Sequence, residues 1–96
     1  MEKLCAYSEI SNLDELISCY RDFKNYCESE KTNEFLIIGN IADLEYSAKR
    51  VLENYEYTEE VIEEIKSILD LVGHKFSHCE SITEMVSKSL DVLEEF

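Results

Sequence analysis

The sequence predicts an all-α protein: a small antiparallel four-helix bundle with helices at approximately 12–28, 33–56, 58–72 and 81–95 and a short N-terminal segment. Three observations carry this. Proline is absent and glycine occurs only at 39 and 73, whereas sheets and long loops ordinarily need both as turn residues. Apolar residues recur at three- and four-residue steps through four stretches, the repeat that lines one helical face. Short connections join those stretches, and four amphipathic helices of similar length can bury one another. At 96 residues the chain makes one acidic domain, near the small end of what closes a core unaided.

The first stripe lies in SNLDELISCYRDFKNYCESEK, where Leu13, Leu16, Ile17, Tyr20, Phe23 and Cys27 keep helical phase. Ser11 with Asp14, or Asn12 with Glu15, supplies its N-cap. The residues before it include Leu4, Cys5 and Tyr7, and a short packing helix is one reading of them. The second stripe, in NEFLIIGNIADLEYSAKRVLENY, runs Ile37, Ile41, Leu44, Ala48, Val51, Tyr55 without losing phase across Gly39. A helix interior tolerates such a glycine at about 1 kcal/mol relative to alanine. The phase therefore favours one helix over a strand and turn.

Thr58 is the expected cap of the third helix, with Glu59 and Glu60 in its first turn, where carboxylates suit the unpaired N–H groups. Val61, Ile65, Ile68 and Val72 form its stripe, flanked by Ile62 and Leu69. Gly73 is expected as a left-handed C-cap, followed by His74 and Lys75 near the carbonyl end. Ser81 and Glu84 have capping-box spacing for the fourth helix, which presents Ile82, Met85, Val86, Leu90, Leu93 and Phe96. A single helix over 58–95 also keeps phase, but at about 57 Å such a rod buries itself poorly without a second chain.

Net charge is −13, from 22 acidic and 9 basic residues, yet apolar content is ample and the chain should fold. Such a charge disfavours nucleic acid, which is held by neutralising its phosphates, and anionic membrane surfaces alike. It attracts and steers a basic protein surface. MEKLCAYSEI has neither a cationic leader nor an apolar run, so a cytoplasmic location is expected. In that compartment Cys5, Cys19, Cys27 and Cys79 are expected as thiols; their spacings of 14, 8 and 52 include no C-x-x-C pair.

GHKFSHCE, residues 73–80, holds both histidines. His74 and His78 would share a face if helical, and Cys79 or Glu80 would add a third zinc ligand. Gly73 and Ser81 instead mark the segment as a connection, so no metal or other cofactor is expected. No nucleophile elbow or phosphate-cradling glycine loop is present either, and the expected role is not enzymatic.

ENYEYTEEVIEE, residues 53–64, concentrates Glu53, Glu56, Glu59, Glu60, Glu63 and Glu64 with no basic residue among them. A solvated helical face is the bland reading. Tyrosine raises the alternative, because it couples a large contact area to a hydroxyl and few rotatable bonds. Tyr55 is in phase with the stripe and expected in the core; Tyr57 and Tyr46 fall off it and are expected exposed. The corner between the second and third helices is thus the candidate docking surface for a basic partner, with Tyr57 expected as its anchor and Glu53, Glu56, Glu60 and Glu64 expected to pair lysines or arginines.

In kind, the chain resembles the small acidic helical immunity proteins that bacteria pair with nuclease toxins. It lacks their tyrosine pair followed by proline, so no residue roles carry over. The resemblance implies a stoichiometric inhibitor of a cognate basic toxin domain. The same physics describes phage-encoded inhibitors, including anti-CRISPR proteins, whose carboxylates imitate DNA phosphates. Two other classes compete: a self-associating helical module, such as a homodimer built on a long C-terminal helix, and a metal- or redox-responsive regulator.

Overall fold

The computed structural model describes residues 4–96; the first three residues of the N-terminal segment lie outside the described residues. Four helices form the bundle: α1 (Leu13–Glu28), α2 (Glu34–Asn54), α3 (Glu59–Lys75) and α4 (Glu80–Leu93). A single 3-10 turn, Tyr7–Glu9, precedes them, and no strand occurs among the described residues. No helix among these is long and apolar enough to cross a membrane.

Local chemistry sets each start. Asn12 caps α1 by accepting the Glu15 N–H at 2.8 Å, while Glu15 takes hydrogen bonds from the Ser11 hydroxyl and the Asn12 amide. Asn33 caps α2 by accepting from the N–H groups of Phe35 and Leu36. Thr58 caps α3 through the Val61 N–H. Each cap satisfies donors that would otherwise have no intrahelical partner.

The stripes meet in one core. Leu16, Phe23, Ile41 and Ile65 are wholly excluded from solvent, and Tyr20, Ile37, Leu44, Leu69 and Ile82 nearly so. Successive helices alternate in direction, yet the α2–α3 connection crosses a diagonal: α1 packs against α2 and α3, and α4 against the same two. Two neighbouring pairs therefore run parallel, as the contacts Arg21–Glu64 and Lys75–Cys27 (α1, α3) and Glu45–Ser89 (α2, α4) record. This topology gathers the starts of α1 and α3 and the ends of α2 and α4 at one end of the bundle.

Around GHKFSHCE the expected capping differs from the observed one. Gly73 is not a left-handed C-cap, since no described residue has positive φ and α3 continues to Lys75. A Cβ there would stand 3.2 Å from Val86 Cγ1, so glycine serves the close approach of α3 to α4. Gly73→Leu is expected to destabilise the fold by about 1–3 kcal/mol through overpacking, read from urea denaturation. The break is only residues 76–79, a turn closed by Cys79 N–H donating to the Phe76 carbonyl at 2.9 Å. Cys79 takes the N-cap position without a side-chain bond, which places Ser81 inside the first turn and leaves the capping box unused. Phe76 packs against the core, and the two helices remain separate rather than forming a rod.

The expectation of four thiols is overturned. Cys5 and Cys19 form a disulfide, with Cα atoms 6.0 Å apart. Their separation of 14 residues resembles no motif, and the pair meets because the N-terminal segment doubles back along the first half of α1. Cys27 and Cys79 are free. Burial pushes the Cys27 thiol up to about 12, so it packs as a small apolar group.

Candidate partner-binding surface

The end of the bundle where α2 stops and α3 begins carries the densest negative charge. Glu53 occupies the last turn of α2, Glu56 the connection, and Glu59, Glu60 and Glu63 the first two turns of α3. All five are exposed, and none forms an ion pair among the described residues. Glu59 and Glu60 gain from the helix N-terminus, so the fold supports their charge without a cation.

Glu64, sixth in the same run, is committed elsewhere. Its carboxylate accepts two hydrogen bonds from the Arg21 guanidinium of α1, at 2.6 and 2.9 Å. That bidentate bond holds the Glu64 carboxyl below the usual carboxylate range. A lowered carboxyl pKa means that the pair's stabilising effect is complete above the unfolded value, about 4.3. It is lost as pH falls through the lower folded value. In Arg21→Ala, the Glu64 carboxyl should titrate at higher pH, measurable by NMR.

The basic residues explain why the acids face outward unpaired. Arg21 and Lys66 clamp helices to Glu64 and Glu94, the latter at 3.2 Å, and Lys88 lies 4.0 Å from Glu45. Lys75 donates to the Cys27 carbonyl, and Arg50 donates to the carbonyls of Tyr7 and Ile10. These five cations are thus spent on joining elements of the fold.

The tyrosines exchange their expected places. Tyr57 is half-buried: its hydroxyl donates to the Phe96 carbonyl at 3.1 Å, and its ring meets that of Phe96 edge-on at 6.1 Å. Tyr55, expected in the core, is 48% exposed because α2 ends at Asn54 and the next residue turns extended, out of helical phase. Tyr46 is 72% exposed, two turns of α2 before Glu53. It borders a separate hollow with Tyr7, Ser8, Asp43, Ser47 and Arg50. Tyr55 thus stands in the connection between Glu53 and Glu56, bordering a hollow with Glu9, Ser11, Arg50 and Asn54, and Tyr46 is set to one side.

Sequence reading missed contributors to this end from elsewhere in the chain. The Tyr57–Phe96 contact pins the end of α4 there, bringing exposed Glu94 and Glu95. Glu9 on the 3-10 turn and Asp14 in the first turn of α1 add to the same end. The alternation of helix directions was the available signal for these positions.

The metal candidates do not converge. His74 is exposed on the last turn of α3, whereas His78 and Cys79 border a different hollow with Glu34 and Phe76. Among the described residues no group of three or more His, Cys, Asp or Glu side chains is placed to hold a metal ion.

The chain matches no protein-family model, no curated protein and no solved structure.

Proposed function

We propose that this protein is a stoichiometric inhibitor of immunity type. It docks its acidic end into the cationic cleft of a basic partner, a bacterial toxin domain of nuclease kind. The observation that carries this reading is the exposed set Glu53, Glu56, Glu59, Glu60 and Glu63 at the same end as a half-exposed Tyr55, with no ion pair to any of the five among the described residues. A nuclease cleft is lined with lysine and arginine to hold phosphates, and carboxylates presented on a rigid end can occupy the same positions. Tyr55 supplies the large, low-entropy contact that interface anchors favour. The action is binding rather than catalysis, and it involves neither nucleic acid nor membrane.

A phage-type inhibitor that imitates DNA would use the same surface and differ only in its partner. The self-associating rod loses its motive, because α3 and α4 are separate helices folded against each other. Affinity capture tests the reading. At low salt the wild-type chain should retain a basic protein in equimolar complex, and a variant with Glu53, Glu60 and Glu63 changed to lysine should not. Equal retention by both would refute it, and mass spectrometry of the retained protein separates toxin from other targets.

A further inference from the structure

The segment before α1 is strapped across α2 by a set of polar contacts beside the buried side chains of Tyr7 and Ile10. Asn40, Ser47 and Arg50, with Asp43 between them, recur at helical spacing and form a polar stripe on a helix whose other inward positions are apolar. Asn40 is buried; its Oδ1 accepts the Leu4 N–H at 3.2 Å and the Tyr7 hydroxyl, while its amide donates to the Leu36 carbonyl at 2.7 Å. Arg50 Nη2 donates to the carbonyls of Tyr7 and Ile10, at 3.1 and 2.9 Å, and the Ser47 hydroxyl reaches the Tyr7 carbonyl at 3.5 Å. The buried Arg50 Nε has no hydrogen-bond partner among the described residues.

Tyr7 and Ile10 of this strap are buried in the core and Leu4 and Cys5 pack partly buried against it, beside some twenty buried apolar residues from the helices. The polar ties that hold the strap can be exchanged for water at little net cost, because each has a hydrated equivalent. The four helices supply all the other buried apolar residues of the core. What fixes the strap covalently is the bond from Cys5 to Cys19; without that bond the covalent tether of residues 4–10 to the bundle runs through Ser11 and Asn12 alone.

We propose that the Cys5–Cys19 disulfide is a redox latch, which on reduction by a thiol reductant releases the strap and opens the polar groove of α2 while the four helices stay folded. The reductant thiolate attacks Cys5, which is half-buried while Cys19 is buried. The Cys5–Cys19 bond breaks, and Cys19 leaves as a thiolate that takes a proton from water. A second thiolate of the reductant then attacks the mixed disulfide. The reductant departs as its own disulfide, and Cys5 is protonated in turn. Two electrons pass from the reductant to the protein, and the latch is reset by disulfide exchange with an oxidised thiol.

Nitrogen-15 relaxation of the full chain, oxidised and then reduced with dithiothreitol, tests this, with Cys5→Ser as a variant that cannot form the bond. Amides of Tyr7–Ile10 should fall from order parameters of about 0.85 to below about 0.6 on reduction and in the variant, with the shifts of α3 and α4 unchanged. Unchanged order in the strap after reduction would overturn the proposal. So would loss of shift dispersion in all four helices, which would make the bond a staple of the whole fold. Four titratable thiols in the air-oxidised, denatured protein, instead of two, would also overturn it.

Discussion

Changing Glu53, Glu60 and Glu63 together to lysine is expected to slow association with the basic partner by about 10- to 100-fold at low ionic strength. The three carboxylates lie on both sides of the α2–α3 connection, so their reversal inverts the field where the partner arrives rather than merely lowering total charge. A control separates these effects. Glu30, Asp70 and Glu80 are exposed toward the far end, and their change to lysine alters net charge equally. That control variant should associate nearly as fast as wild type. Stopped-flow measurements in low and in physiological salt read both, and the difference should shrink as salt screens the field. Tyr55→Ala should act differently, speeding dissociation more than it slows association, because an anchor contributes after contact is made.

Phe23→Ala is expected to destabilise the fold by about 3–5 kcal/mol, a large part of the 5–15 kcal/mol that holds a domain of this kind together. Phe23 is wholly excluded from solvent on α1, the helix that packs against both α2 and α3. Truncation there removes transfer free energy and leaves a cavity in a core whose other wholly buried residues include Leu16, Ile41 and Ile65. Urea denaturation should show the loss at unchanged slope, as for a variant whose native and unfolded surfaces are otherwise alike.

Such a core was open to prediction because packing enforces it. Ile37, Ile41, Leu44, Ala48 and Val51 follow helical phase and are all buried, as are Leu16, Ile17, Tyr20, Phe23 and Cys27 on α1. Phase fails where the helix stops. Tyr55 keeps step with the stripe in sequence, but it adopts an extended backbone at φ −132 and ψ 150, which turns its ring away from the core. Tyr57 is out of step, and for the same reason its ring is free to fold down onto Phe96. The periodicity rule describes side chains on a continuous helix, and neither tyrosine lies on one.

Glycine and cysteine misled for a related reason, since both answer to contacts distant in sequence. Gly73 meets Val86, and Cys5 meets Cys19 only once the strap has folded back. The acidic segment itself was plain from composition, whereas the commitment of Glu64 to Arg21 depends on α1 and α3 lying side by side and parallel. Nothing in either helix alone announces that neighbour.

The most direct test is an NMR titration of the folded chain with a short lysine- and arginine-rich peptide, followed amide by amide. Shifts should gather at Glu53–Glu63 and at Glu94–Phe96, include Tyr55, and fade as salt is raised. Shifts scattered evenly over the surface, or centred on the far end near Glu30 and Glu80, would contradict the assignment of the docking site.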